Sequence, residues 1–333
     1  MLYRTLGALA LGLAVSAGPA QAQSEDYLLA TASTGGTYYP VGVALATLIK
    51  VKLQPSDKIG MSAINSAGSG ENVALLRDNE VQFGILQGLY GAYAATGTGP
   101  LESEGPQENM RSITMLWPNV EHYIVTSDNV DTGTISDMKA MKGKTMSLGA
   151  QNSGTLGSSR TILGNLGMDI DEHFDLAYMG YTPSVDGLQN GSIDGMSVPA
   201  GPPVSAVSAA FANMGDKLTI LSFTEEQRKE ANGSFDDLWT PYTLPAGLYP
   251  GQEEDIATIA QPNFLAVNAD VPEETVYKIT KTIYENLPFL QAIHPATKAM
   301  SPETATAGLP LKLHPGALRY YEEAGVPVAD RLK

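Results

Sequence analysis

The sequence predicts an α/β protein of two similar lobes joined by a hinge. Three patterns carry that expectation. Strand, Gly/Ser loop and helix alternate over residues 27–86, and the alternation returns over 145–198. Two extended apolar stretches broken by proline, 113–125 and 258–267, lie where a chain would cross between lobes and return.

The N-terminus has a charged start at Met1-Leu-Tyr-Arg4, an apolar run over 6–15 and a small-x-small site at Ala20-Gln21-Ala22. This is the layout of a secretory signal, with cleavage expected after Ala22. The run is too short to span a bilayer, and no other stretch approaches spanning length. No cysteine stands near the cut to carry a lipid. A soluble periplasmic product of about 310 residues follows, long enough for two domains. Lobe 1 is expected from 23–118 and 264–333, and lobe 2 from 119–263.

In the first lobe, 27–32 reads as a buried strand, 33–37 as a small-residue loop, and Val41, Leu45, Leu48 and Ile49 as a helical stripe. Pro40 suits the first turn of that helix, where a missing N–H costs nothing. Residues 58–64 form the next strand and 65–70 a second Gly/Ser loop. A helix over 71–78 and a strand over 81–86 follow. The Gly-, Pro- and Glu-rich stretch 90–109 reads as a mobile excursion. In the second lobe, strands are expected at 145–149, 174–180 and 193–198, with helices at 156–166 and 184–189. Loops at 150–154 and 181–183 join them. An amphipathic helix over 272–289 carries Val276, Ile279, Ile283 and Leu287 on one stripe, with Glu273 and Glu274 suiting its start. The tail 310–328 is expected to return to the first lobe.

Composition excludes several function classes. Acidic residues outnumber basic ones 36 to 20, a formal charge of −16 that becomes −17 once Arg4 leaves with the signal. That balance disfavours nucleic acid and anionic lipid surfaces. With no cysteine there is no disulfide, thiolate nucleophile or Cys-ligated metal. The four histidines, 122, 173, 294 and 314, are scattered, and no metal site is expected. No Gly-x-Ser-x-Gly elbow occurs, Gly143-Lys144-Thr145 lacks its upstream glycine, and Gly68-x-Gly70 lacks a third glycine. No catalytic residue and no cofactor are assigned.

The candidate site is the cleft between lobes, where the Gly/Ser loops meet helix starts beyond the carboxyl ends of the strands. A helix N-terminus carries about half a positive charge and unpaired N–H donors, so it holds anions without a cation. The ligand-binding candidates are Ser33, Thr34, Gly35, Gly36, Thr37 and Tyr38, facing Asn152, Ser153, Gly154 and Thr155, with Ser69, Gln87, Tyr181 and Thr182 beside them. Thr34, Thr37, Ser69, Ser153 and Thr155 have helix capping as their alternative role. Tyr38 has packing on the hinge, and Gln87 a structural bond to the hinge. Trp117 reads as hinge core and His122 as a satisfied partner. Arg160 reads as part of a solvated helix face.

Several stretches resemble the TAXI family of extracytoplasmic solute-binding proteins, which serve tripartite ATP-independent (TRAP) transporters. They are Ser33-Thr-Gly-Gly-Thr-Tyr-Tyr-Pro-Val-Gly42, Gly68-Ser-Gly-Glu-Asn72, Phe83-Gly-Ile-Leu-Gln87, residues 137–149, Asn152-Ser-Gly-Thr155, Tyr249-Pro-Gly-Gln252 and Leu313-His-Pro-Gly-Ala-Leu-Arg-Tyr-Tyr321. Together they run through nearly the whole mature chain in order. The resemblance implies a two-lobed type II periplasmic-binding-protein fold, two Rossmann-like lobes joined by hinge strands. It also implies capture of a small carboxylate, glutamate or 2-oxoglutarate being the family's familiar cases, and delivery to a TRAP-type permease by a monomer. Gly70 and the Gln87-Gly88-Leu89 run depart from the family pattern, so no relative's ligand is carried over. An enzyme on the same scaffold and a sensory protein that presents ligand to a receptor are the competing readings.

Overall fold

The computed structural model describes residues 24–333, and the secretory signal lies outside the described residues. Strands β1 (Glu25–Ala30), β2 (Ile59–Ile64) and β3 (Phe83–Gln87) run parallel in the order β2–β1–β3. Helices α1 (Tyr38–Asp57) and α2 (Ser69–Arg77) connect them, and α3 (Gly88–Thr96) follows directly. Along α1 the expected stripe of Val41, Leu45, Leu48 and Ile49 is buried against the sheet. Lys58 ends that helix in a left-handed conformation, φ 61°.

The chain then crosses through β4 (Met110–Val120) and β5 (Tyr123–Thr126) to a second sheet. That half holds β6 (Thr145–Ser147), α4 (Gly154–Asn165), α5 (Ile170–His173), β7 (Asp175–Leu176), α6 (Tyr181–Asn190) and β8 (Gly195–Ser197). Next come α7 (Ser205–Met214), β9 (Leu218–Leu221), α8 (Glu225–Asn232) and β10 (Thr240–Leu244). The second sheet has the order β7–β6–β8–β5–β9. The long strand β11 (Ile256–Asn268) returns to the first sheet, pairing antiparallel with β4 on one side and with β10 and β3 on the other. Helices α9 (Glu273–Glu285), α10 (Leu287–Ile293) and α11 (Pro315–Glu323) complete the chain. Pro118 and Pro262 stand opposite each other where β4 and β11 cross, so neither donates to the ladder there.

One apolar core is drawn from residues on the N-terminal side of the crossing and from Phe264 onward, the C-terminal tail included. Two others lie on either side of the second sheet. The tail does return to the first sheet: Tyr321 donates its phenol proton to the Ile113 carbonyl at 3.0 Å, and Leu313 bridges Ser112.

Four expectations change. The stretch 90–109 is ordered, beginning with α3, because its glycines permit contact: a side chain at Gly91 would collide with Pro310 and Phe264. Residues 174–180 give only a two-residue strand, and Tyr181 opens a helix whose early Pro183 sits where no N–H is needed. The single helix expected over 272–289 breaks at Asn286 into α9 and α10, since Pro288 lacks the N–H that would continue it. Residues 205–244, for which the pattern named no element, hold α7, β9, α8 and β10.

Gly316 lies so close to α9 that a Cβ would collide with the Glu273 carbonyl oxygen. Overpacking against backbone costs about 1 to 3 kcal/mol, more than the propensity alanine restores. Gly316→Ala therefore lowers stability in urea melts by about that amount; an unchanged midpoint would mean that α11 does not rest on α9.

Candidate functional site

Four helices begin beyond the carboxyl ends of strands and aim their first turns at one cleft. From the first sheet come α1, entered through Thr37, and α2, entered through Gly68; from the second come α4, entered through Ser153, and α6, entered through Gly180. Only Ser153 caps its own helix, accepting from the Leu156 N–H at 3.0 Å; the other three starts have no side-chain cap. Each uncapped start leaves N–H groups and the positive end of a helix dipole facing inward. The lining of this cleft holds no Lys, Arg, His, Asp or Glu. Such a cleft attracts one small anion without a salt bridge.

The hydroxyls divide into committed and free. Thr37 donates to the Gly201 carbonyl at 2.7 Å, and Tyr38 donates to Asn263 Oδ1. Tyr181 donates to the Pro199 carbonyl at 2.8 Å, so the 2.9 Å bond between Tyr181 and Thr155 is donated by Thr155. Those protons are spent. Ser69 Oγ accepts from the Gln87 N–H at 3.1 Å and Ser153 Oγ from Leu156, which leaves both hydroxyl protons for a ligand. Ser33 lines the cleft with its hydroxyl engaged in no hydrogen bond among the described residues. Burial pushes the phenols of Tyr38 and Tyr181 up, so both stay protonated donors.

Of the candidates from the sequence, Ser33, Gly36, Thr37, Tyr38, Ser69, Gln87, Ser153, Gly154, Thr155 and Tyr181 line this one cleft. Thr34, Gly35, Asn152 and Thr182 do not. Thr34 is exposed. A Cβ on Gly35 would stand 2.6 Å from Thr182 Oγ1, so these two form a wall contact. The Asn152 carbonyl accepts from the Glu71 N–H at 2.9 Å, tying the two halves together outside the cavity. Further ties cross the cleft: Ser205 Oγ donates to the Gly35 carbonyl at 3.0 Å, and Gln87 Nε2 to the Gly154 carbonyl at 2.9 Å. The cleft is closed. Arg160 points elsewhere, paired with Asp171.

Sequence reasoning missed Asn119, which lines the floor from β4. The available signal was a run of polar residues, Asn119-Val-Glu-His122, inside a stretch otherwise apolar. All three polar members are buried. Glu121 Oε1 accepts from Trp239 Nε1 at 3.1 Å, and burial pushes its carboxyl up to about 7. His122 Nδ1 sits 2.9 Å from the Val120 carbonyl, so it carries the proton, and Nε2 faces the Tyr249 phenol at 2.9 Å. Burial lowers its pKa to about 4. Trp117, fully buried beside Tyr38, is hinge core.

A family model described as NMT1-like matches residues 29–325. Among solved structures, the chain is similar to MatC from Rhodopseudomonas palustris with bound malate: 14% identity, 90% of this chain and 97% of that one, TM-score 0.54. A protein from Bordetella bronchiseptica RB50 gives 13% identity over 90% of this chain and 82% of that one, TM-score 0.52. One from Xanthomonas citri bound to ATP gives 12% identity over 91% and 97%, TM-score 0.50. At such identities the likeness is one of fold. It is the mixed α/β, type II-like fold of periplasmic binding proteins, as the sequence predicts.

Glu121 and His122 give opposite pH dependences. A carboxyl raised from 4.5 to about 7 contributes stability that is fully present below 4.5 and is lost as pH rises through 7. A histidine lowered from 6.5 to about 4 contributes stability present above 6.5 and lost as pH falls through 4. Comparing wild type with Glu121→Gln cancels the histidine. From about pH 5 to about pH 8, wild type should lose about 2.5 kcal/mol relative to the variant. Parallel stability curves in urea melts across that range would remove Glu121 from the buried hinge.

Proposed function

The chain belongs to the NMT1-like family, and from that premise we propose that it is an extracytoplasmic solute-binding protein that captures a small carboxylate between two lobes. Lobe 1 comprises residues 23–118 and 264–333, lobe 2 residues 119–263, and residues 1–22 are a cleaved secretory signal. The observation that carries the reading is the meeting of four helix N-termini around a cleft lined by no ionised side chain. A carboxylate there accepts from first-turn N–H groups and from the free hydroxyls of Ser33, Ser69 and Ser153. Because both lobes contribute donors, a ligand held by all of them favours the closed state over the open one. The closed protein then acts as a monomer that delivers its ligand to a membrane permease. The Ser-Thr-Gly-Gly-Thr-Tyr-Tyr-Pro run at 33–40 supports a TRAP-type permease and the TAXI family as the finer assignment.

A thermal-shift screen of organic acids and amino acids tests the reading, since a ligand stabilises the folded state by an amount that grows with the logarithm of its concentration over its dissociation constant. Stabilisation by carboxylates, without turnover, is expected. Stabilisation by none of them, or turnover of any, would displace it.

Two substitutions test the site by calorimetry. Ser153→Ala removes a free hydroxyl and a helix cap, and should weaken binding about tenfold while costing about 1 kcal/mol of stability. A side chain at Gly36 would meet the Tyr181 ring at 2.9 Å. Gly36→Val should therefore hold the lobes apart and abolish tight binding in a protein that still unfolds cooperatively. Wild-type affinity in both variants would move the site elsewhere.

A further inference from the structure

We infer that Asn119 makes the cleft select carboxylates bearing a hydrogen-bond donor on the carbon skeleton, a hydroxyl or an ammonium, over the oxo acid of the same skeleton. The inference rests on the carboxylate reading above.

The orientation of Asn119 is set by groups that have no choice. The Gly154 carbonyl can only accept, so the amide end of Gln87 that meets it at 2.9 Å is Nε2. Gln87 Oε1 is thereby turned to Asn119 and accepts from its Nδ2 at 3.2 Å. A second chain agrees. The Leu89 N–H can only donate, so Gln261 presents Oε1 to it at 2.8 Å and Nε2 to Ser158 Oγ at 2.9 Å. Ser158 Oγ also accepts from Gln87 Nε2 at 3.0 Å. Turning Asn119 over would set its oxygen against Gln87 Oε1, acceptor against acceptor.

What remains is Asn119 Oδ1, an oxygen without a proton. Asn119 is 1% exposed, and its Oδ1 has no hydrogen-bond partner. Among the described residues, no other lining side chain holds a buried polar atom without a partner. The protons on offer elsewhere in the cleft, on hydroxyls and helix-start N–H groups, seek an acceptor. A carboxylate satisfies those donors and leaves Oδ1 unmet. A hydroxyl or ammonium on the same molecule completes it, whereas a ketone oxygen adds a second acceptor. Leaving a buried acceptor unpaired is what discriminates between ligands of equal size.

Calorimetry on the full mature chain with two matched sets tests this: L-lactate, L-alanine and pyruvate, and L-2-hydroxyglutarate, L-glutamate and 2-oxoglutarate. In wild type the hydroxy or the amino member should bind about tenfold more tightly than the oxo acid, and the two arms tell hydroxyl from ammonium. In Asn119→Leu that ratio should fall to within about twofold. Gln87→Leu, which leaves Asn119 in place but free to turn, should shrink the ratio as well. A merely structural role for either residue would lower all affinities together and leave the ratio intact. An oxo acid that binds as tightly as its partners in wild type, or a ratio surviving in both variants, overturns the inference alone. Binding of none of the six overturns the carboxylate reading on which it rests.

Discussion

Helix starts leave N–H groups that something must satisfy, and the site follows from where this fold puts them. At α1, α2 and α6 no side chain of the chain's own caps the helix. Each start follows a strand in a sheet, and α6 follows the two-residue β7 after a short extended stretch. With the two sheets facing, these starts converge on one volume. Their partial charges add there, in surroundings where no cation competes and little water dilutes the field. The protein's net charge of −16 has no bearing on that local sign.

The bonds that close the cleft are of a strength suited to opening again. Thr37 to Gly201, Ser205 to Gly35 and Glu71 to Asn152 are hydrogen bonds from a hydroxyl or a backbone N–H to a backbone carbonyl. Each contributes about 1 kcal/mol net, because water replaces it when the halves part. Beneath them the hinge is built differently. Gln87, Asn119, Gln261 and Ser158 form a buried network in which backbone groups set the Gln87 and Gln261 amides and Gln87 in turn sets Asn119, so this layer keeps its geometry.

Much of this was legible from local pattern. The run 33–42 shows both its loop and the buried stripe of α1, since glycines and a proline leave few backbone choices and Val41, Leu45 and Ile49 recur at helical spacing. Less legible were places where glycine serves contact rather than flexibility. Gly91 belongs to a stretch that reads as a mobile excursion, yet it lies inside α3, where Pro310 and Phe264 press against it. Tyr181 reads as the start of a loop, yet it begins a helix, because the extended stretch before it makes no ladder. Thr37 and Ser153 look alike as caps, but Thr37 gives its proton to Gly201 across the cleft while Ser153 caps.

The amino-acid sequence by itself determined the α/β class, the neutral, donor-rich loops and the absence of thiol chemistry, all of which depend on residue type and short-range spacing. Tertiary structure alone decided which hydroxyl protons are free and which way Asn119 faces. Those properties belong to hydrogen bonds between residues far apart in the chain, such as Gln87 with Gly154 or Tyr38 with Asn263. No local pattern encodes a partner that arrives only when two sheets come together.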